Sequence, residues 1–260
     1  MAVPPFNRPP RPAATVCGLN VSALGLRATA AFFVNYCLSE ARSNSSRPLF
    51  STSLNGHAIS LCARDASVRR SFRGADQINA DGQPMVALSR LLSRNPLPER
   101  VATTDLFPEV ARFAKELGLS FYMLGGSEEV NRKAVEATLR AYPSLRIVGR
   151  RHGYFNLAEE PDICAEIAAL RPDILWVGLG IPFEQQFCVR NVERLRGVGI
   201  IKTAGGLLDF LSLKKPRAPK WMQNVGFEWL FRLAAEPRRL FVRYTTTNPH
   251  ALIVMFRSLR

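Results

Sequence analysis

Short apolar runs alternate with helix-periodic segments along most of this chain, and this alternation limits the folds open to it. The apolar runs occupy residues 48–54, 78–80, 121–124, 146–150, 174–179 and 200–203. Helical periodicity fills the stretches 57–72, from Pro84 onward, 128–142, 183–195 and 207–211. Such runs are typical of strands buried on both faces and joined by helical crossovers. The pattern predicts an α/β fold, a mainly parallel sheet with helices on both faces.

A carboxylate stands at the end of the second apolar run. Asp81 follows residues 78–80 and, with Gly82, forms the turn before a helix that begins near Pro84. Open α/β sheets bind ligands at the carboxyl ends of their strands, so Asp81 is the leading candidate for a catalytic base. Asp is also a common helix cap, and spacing alone favours that alternative. The corresponding candidates at other strand ends are Asn55, Gly125, Gly180 and Gly205.

Beyond the Asp81–Gly82 turn, glycine-containing turns follow three further strands, at Gly125–Gly126, Gly180 and Gly205–Gly206. Gly125 and Gly126 precede Ser127 and a helix, where backbone N–H groups and the helix dipole could meet a phosphate. An ordinary strand-to-helix turn with a serine cap is slightly favoured there, because Glu128 and Glu129 already complement the dipole. Neither a G-x-G-x-x-G nor a Walker A sequence is visible.

The charge indicates an anionic partner. The 260 residues are 47% hydrophobic, enough for one sizeable core, and carry a net charge of +14. Residues 211–260 contain ten Lys or Arg against two Glu, a net +8. Nucleic acid, acidic lipid headgroups, and sugar nucleotides or diphosphates are the chemical options.

The remaining composition favours a cytosolic protein without a metal. The five cysteines are scattered, and the three histidines lie far apart, so no metal-binding spacing is visible and the thiols should be reduced. No apolar stretch is long enough to span a bilayer, and the Pro- and Arg-rich residues 1–15 lack a signal-peptide core. We expect residues 1–15 to be a disordered tail.

The basic C-terminal segment has an apolar stripe of its own. If residues 220–235 are helical, one face carries Trp221, Val225, Trp229 and Leu233. Pro237 should start a second helix, residues 245–248 interrupt its pattern, and 251–256 form a short apolar patch that could dip into a membrane interface or pack on a partner subunit. A solvated basic face is the plainer interpretation. The charge concentration favours a membrane-surface element that meets anionic lipid and an acceptor diphosphate.

Eight segments together resemble one known family. In order they are NADGQP, PLPERVATTDL, LGGSEEV, VGRRHGYF, VGLGIPFEQ, AGGLLDFLS, RAPKW and GFEWLFRLAAEPRRLFVRY. Their order and spacing over residues 50–245 are similar to those of the WecG/TagA/CpsF glycosyltransferases, family 26, of bacterial cell-surface polysaccharide assembly. The resemblance implies a Rossmann-like fold of the GT-E type and a helical basic C-terminal appendage that helps hold the enzyme on the membrane and closes over the active site.

The resemblance also implies a reaction. It is inverting transfer of a hexose or N-acetylhexosamine-type sugar from a UDP-sugar to a hydroxyl of a polyprenyl-diphosphate-linked saccharide, with neither metal nor cofactor. Asp81 matches the family's proposed base, and Ser53 and Asn55 match its T-x-N pattern with Ser in place of Thr. Nucleotide contacts are expected from the turns, and charge compensation from basic side chains. The implied substrate-binding residues are Ser53, Asn55, Gly82, Asp105, Gly125, Gly126, Gly180, Pro182, Glu184, Gln185, Gly205, Gly206, Arg217, Arg232, Arg239 and Arg243.

One motif departs from the family. Many relatives read G-x-P-K-Q-E, whereas here Phe183 replaces the Lys and the polar pair is inverted to Glu184 and Gln185. The inverted pair leaves the donor sugar open. Asp209 lies in another family motif, and packing of the RAPKW segment through Arg217 is at least as good an explanation for it as a role in the site.

These observations divide the chain into a tail (1–15), an α/β glycosyltransferase domain (16–212) and the appendage (213–260). The expected partners are the UDP-sugar donor, the glycolipid acceptor and the cytoplasmic face of the membrane, while a monomer and a homo-oligomer both remain open. A nucleic-acid-binding protein would explain the charge, but no recognition motif is visible. A dinucleotide-dependent oxidoreductase would explain the alternation, but its glycine fingerprint is missing.

Overall fold

The computed structural model describes residues 12–214, 218–219, 221–222 and 228–259. Its strands are β1 Pro12–Val16, β2 Leu19–Ser22, β3 Leu49–Leu54, β4 Gln77–Ala80, β5 Ser120–Gly125, β6 Arg146–Arg151, β7 Ile174–Gly178 and β8 Ile200–Thr203. The first helices are α1 Leu26–Leu38, α2 Glu40–Ser43, α3 Gly56–Arg64, α4 Ala66–Arg73, α5 Gln83–Leu92 and α6 Thr103–Leu117. The later helices are α7 Glu128–Ala141, α8 Glu160–Leu170, α9 Phe183–Asn191, α10 Leu207–Leu211, α11 Glu228–Ala235 and α12 Pro237–Ser258.

Six strands form one sheet in the order β4-β3-β8-β7-β5-β6, and every neighbouring pair is parallel. On one face, Phe107 of α6 packs edge-on against Phe121 and Trp176 of the sheet, with ring centroids 5.8 and 4.9 Å away. The opposite face carries Tyr122 and other apolar side chains under α8 and α9. The α/β, Rossmann-like prediction is therefore confirmed. All carboxyl ends of the strands meet at one edge, as parallel pairing requires.

The N-terminal hairpin begins inside the stretch that the sequence analysis assigned to a disordered tail. Strands β1 and β2 pair antiparallel, and their side chains Val16, Leu19 and Val21 are fully buried. The described fold thus includes residues 12–15, because alternating apolar positions of the hairpin complete a core with α3, α4 and α5. Residues 1–11 lie outside the described part of the chain.

The C-terminal helix is longer than its sequence pattern suggested. Pro237 begins α12 as expected, but residues 245–248 remain helical, and Thr245 Oγ1 donates to Phe241 O at 2.9 Å. Burial explains this continuity, because one stripe of the helix faces the core at four-residue intervals. The stripe consists of Thr247, Ala251 and Met255, followed by Leu259 just beyond the helix. Ser258 Oγ also accepts a hydrogen bond from Cys17 N at 2.9 Å, which ties α12 to the hairpin.

Gly125 occupies the tightest backbone contact at the carboxyl edge. It is opposite Gly178 in the β5–β7 register and has φ +133°. A Cβ at this position would lie 2.2 Å from Gly178 O. The Gly125–Gly126 turn is closed further by Gly126 N donating to Gly178 O at 3.3 Å. The glycine at 125 is therefore required by strand packing.

We expect Gly125→Ala to lower the free energy of unfolding by about 3 kcal/mol or more, because backbone strain adds to overpacking. Gly206→Ala is the matched control, since Gly206 has φ −88° and open space where its Cβ would stand. Its stability should stay within about 1 kcal/mol of wild type. Urea unfolding compares the two, and equal stabilities would contradict the packing argument.

Candidate active site

A cavity of about 540 Å³ opens at the carboxyl ends of β3 and β4. Its floor includes Asn55, Asp81 and Gly82, and Arg100 contributes to its wall. The C-terminal helices cover it, with Trp229 and Leu233 from α11 and, from α12, Thr245, Asn248, Pro249, Ala251, Leu252 and Met255. The charged floor and the largely apolar cover give this cavity the mixed lining of a small-molecule site.

Asp81 is held in this cavity by the sheet. Its backbone N–H donates to Leu54 O at 2.9 Å, so the carboxylate leaves the chain directly beside the end of β3. Helix α5 begins at Gln83 with Gly82 as its N-cap residue. Asp81 therefore does not occupy the N-cap position, which removes the main support for the capping alternative. The half-buried carboxylate faces a space large enough for part of a sugar substrate.

The other predicted polar residues near Asp81 take different positions. Asn55 lines the cavity, and its Oδ1 also accepts from Ala58 N at 3.0 Å as the cap of α3. Ser53 is buried below the cavity, where its Oγ is hydrogen-bonded to Thr103 Oγ1 at 3.1 Å. Asp105 forms a salt bridge with Arg100 at 3.1 Å. It is Arg100 that lines the cavity, and Asp105 lies behind it.

Lys202 is a buried cation beneath this edge that the sequence analysis did not single out. Its Nζ is fully enclosed and donates to Ser53 Oγ at 2.8 Å and to Thr203 O at 3.0 Å. Burial lowers the pKa of Lys202 to about 8, although the carboxylates of Glu184 and Asp81 favour its charged form. A Lys inside the apolar run IIKT was the available signal, because buried strands exclude charges that have no partner.

Glu184 joins the two glycine turns from inside the protein. Its Oε2 accepts from Gly180 N at 3.2 Å and from Gly205 N at 2.9 Å, and only 2% of the residue is exposed. Burial raises the pKa of Glu184 to about 7, against the opposing effects of the Gly205 hydrogen bond and Lys202. These two N–H groups are therefore already bound and do not point to a nucleotide diphosphate.

Gln185 extends the same network into the sheet. Its Nε2 donates to Thr52 Oγ1 at 3.0 Å, and Thr52 is hydrogen-bonded to Thr203 at 2.8 Å. Both Glu184 and Gln185 are buried, and a direct contact of either with a donor sugar stays a prediction. The neighbouring Phe183, by contrast, is 67% exposed.

The predicted glycines fall into two groups. Gly125 and Gly126 are packed, and a Cβ on Gly126 would lie 3.1 Å from Val130 Cγ1. A Cβ would meet nothing within 4 Å at Gly82, Gly180, Gly205 and Gly206. Ser127 caps α7 by accepting from Val130 N at 3.3 Å, as the ordinary-turn alternative predicted. Pro182 lies between the open turn and α9, whose N-cap position it occupies.

The basic residues predicted in the appendage are only partly described. Arg217 lies outside the described residues, and its proposed contact with Asp209 is therefore untested. Arg232, Arg239 and Arg243 lie in α11 and α12, whose backbones are described. Within the described ranges, no three His, Cys, Asp or Glu side chains are grouped so as to hold a metal ion. Nor is any helix there long and apolar enough to cross a membrane.

The buried carboxyl of Glu184 should make stability depend on pH. Because its pKa is raised from 4.5 to about 7, the folded state holds this proton more tightly than the unfolded state. That advantage is complete below pH 4.5 and is lost as the pH rises through 7. In the wild type we expect this loss to lower the free energy of unfolding by roughly 2–3 kcal/mol between pH 4.5 and pH 7. The fall should be absent in Glu184→Gln. Urea unfolding at a series of pH values measures it, with Glu116→Gln, at an exposed position of α6, as control. An unchanged pH slope in Glu184→Gln would contradict the assignment.

Comparison with known proteins places the chain in a family. The family model described as "Glycosyl transferase WecG/TagA/CpsF family" matches residues 14–260. The N-acetylglucosaminyldiphosphoundecaprenol N-acetyl-beta-D-mannosaminyltransferase of Bacillus subtilis (strain 168) is 30% identical over 175 residues, 67% of this chain. The match spans 66% of that relative's own length, just under two thirds. The family match covers the sheet, the cavity with Asp81 and the C-terminal helices, and confirms the resemblance found in the motifs. This chain belongs to the WecG/TagA/CpsF family of glycosyltransferases.

Proposed function

We propose that this protein is an inverting, metal-independent glycosyltransferase that moves a hexose or N-acetylhexosamine-type sugar from a UDP-sugar to a polyprenyl-diphosphate-linked saccharide. The observation that carries the proposal is the position of Asp81, in a cavity between the carboxyl edge of the sheet and the C-terminal helices. The name of the Bacillus subtilis relative describes transfer of N-acetylmannosamine to a diphosphoundecaprenol-linked sugar, which supports a lipid-linked acceptor.

Asp81 acts as the general base in this proposal. The acceptor hydroxyl gives its proton to the Asp81 carboxylate while its oxygen attacks the anomeric carbon of the donor sugar. The new carbon–oxygen bond forms on the face opposite the departing UDP, whose bond to the anomeric carbon breaks. One displacement of this kind inverts the anomeric configuration and leaves UDP with the electron pair of the broken bond.

Basic side chains meet the charge that develops on the departing diphosphate. The N–H groups of Gly180 and Gly205 are hydrogen-bonded to Glu184. The open turns therefore provide room for a nucleotide, but these two N–H groups do not bind it. Arg100 is the described cation that lines the cavity. Arg217, Arg232, Arg239 and Arg243 of the C-terminal segment supply the additional charge in this proposal, because a guanidinium binds diphosphate oxygens in a fixed geometry.

The same segment places the enzyme on the membrane. Residues 211–260 carry a net +8, from ten Lys or Arg and two Glu. Each basic residue near an anionic leaflet contributes about 1 kcal/mol to surface binding. We propose peripheral attachment to the cytoplasmic face, where the cover of the cavity faces the lipid that bears the acceptor.

We expect Asp81→Asn to reduce turnover about 100-fold or more, because a general base commonly contributes that much. Purified protein in detergent with EDTA would receive a panel of UDP-sugars and a lipid diphosphate-sugar acceptor. UDP release and glycolipid product are followed together. Asp162→Asn, on the exposed first turn of α8, is the control and should keep wild-type turnover. Equal turnover of wild type and Asp81→Asn would reject the base, and loss of activity with EDTA would reject metal independence.

We expect Lys202→Met to move the acidic limb of the kcat/KM pH profile to higher pH, because removal of a nearby positive charge disfavours a catalytic carboxylate. A shift of roughly one pH unit, with circular dichroism like that of the wild type, would fit a buried charge interaction. Lys133→Met, which changes an exposed side chain on α7, is the matched control. A lower kcat without any movement of the limb would assign Lys202 a purely structural role.

A further inference from the structure

An apolar groove of about 310 Å³ runs beside the cavity that holds Asp81. It lies between α5 and the last turns of α12 and is lined by Leu88, Leu252, Ile253, Phe256 and Arg257. Leu252, Ile253 and Phe256 are 45%, 51% and 68% exposed. Large apolar side chains clustered at this exposure mark an interaction surface rather than a core.

The exposed groove does not result from incomplete packing of α12. Ala251 and Met255 of the same helix are 1% and 3% exposed and already face the core. The groove residues therefore form a second apolar surface on a helix whose core face is satisfied. On α5, Leu91 and Leu92 lie one turn beyond Leu88 and continue its face, at 80% and 38% exposure.

The groove is continuous with the candidate active site. Leu252 lines both the groove and the cavity that contains Asp81. A molecule whose polar end lies at Asp81 and which leaves between α5 and α12 must pass over this leucine and along the groove. Arg257 adds a cation to the groove wall, so the surface combines aliphatic contact with one positive charge.

The continuity of the groove with the cavity favours an occupant that is attached to the substrate. The groove is lined by three aliphatic side chains, one phenylalanine and one arginine, which suits an aliphatic chain that follows a charged head group. The acceptor in the proposed function has such a chain directly after its diphosphate.

We propose that the groove between α5 and α12 receives the first isoprene units of the acceptor's polyprenyl chain. The saccharide then lies at Asp81, and the chain passes over Leu252 and contacts Ile253 and Phe256. This inference rests on the proposed function and adds to it a binding site for the lipid part of the acceptor. The enzyme therefore distinguishes acceptors by their chain as well as by their sugar.

Chain-length dependence tests the groove. Two acceptors with the same saccharide diphosphate, one with a long polyprenyl chain and one with a single isoprene unit, are compared in a neutral detergent without bilayer. In Ile253→Ser/Phe256→Ser we expect the long-to-short ratio of kcat/KM to fall about tenfold, which corresponds to roughly 1.4 kcal/mol of lost contact. The control Leu139→Ser/Leu170→Ser changes two leucines outside the groove, on α7 and α8, that are 38% and 43% exposed, and it should keep the wild-type ratio.

A binding measurement separates this inference from the proposed function. Affinity for a long-chain polyprenyl phosphate in the same detergent should also fall about tenfold in the groove variant, and no turnover is needed to see it. If the wild type is active and the groove variant keeps both the long-to-short ratio and the affinity, the lipid-binding role of the groove is rejected while the proposed function stands. If the groove variant instead loses binding to vesicles that contain no polyprenyl lipid, while its long-to-short ratio of kcat/KM is unchanged, the groove contacts the bilayer and the inference is overturned. A wild type inactive with every acceptor rejects the proposed function instead.

Discussion

The buried polar network beneath the carboxyl edge is the constraint on which the site depends. A sheet covered on both faces has no water with which to solvate Lys202 or Glu184, so each needs partners within the protein. Ser53, Thr203 and Gln185 provide hydrogen bonds on one side, and the turns after β7 and β8 provide them on the other. Because the same groups fix the turns and lie below the cavity, the position of the site is coupled to the electrostatics of the core. Such a network favours one arrangement of β3, β8 and α9 over others.

Periodicity and strand ends made much of this architecture predictable. Buried parallel strands appear in the sequence as apolar runs, and their carboxyl ends must share an edge, so the sequence predicts that Asp81 and Asn55 lie close together. The network itself was not predictable, because it depends on which strands are neighbours. Ser53 and Lys202 are 149 positions apart in sequence and meet only because β3 lies beside β8. Residues 12–15, the start of the hairpin, were assigned to the tail for a related reason, since the Pro- and Arg-rich composition of residues 1–15 concealed an alternation that becomes meaningful only against the core formed with α3 and α12.

The inverted pair at 184 and 185 supports the site through buried hydrogen bonds. The Glu184 carboxylate accepts hydrogen bonds from the backbone of both open turns, and the Gln185 amide donates one to Thr52 inside the sheet. A carboxylate is suited to the first position because it accepts two N–H groups at once, and an amide is suited to the second because it donates to a hydroxyl. The departure from the common order is thus chemically consistent within this chain. Glu184 thereby fixes the turns after β7 and β8, whose glycines leave open space beside the backbone.

The C-terminal helices differ in how they are attached, and this difference determines how substrates can reach Asp81. Helix α12 is fixed by its buried stripe, by His250 Nδ1 hydrogen-bonded to Ser60 Oγ at 2.9 Å, and by the contact of Ser258 with Cys17. It forms one wall of the fold. Helix α11 covers the cavity with Trp229, which is 39% exposed, and with half-buried Leu233. Among the side chains that the structure describes, those of α11 therefore bury much less apolar surface than those of α12. In the proposed function, opening on the α11 side would admit the polar donor, while the fixed α5–α12 side would keep its apolar groove for the lipid chain, so the two substrates would approach Asp81 by chemically different routes.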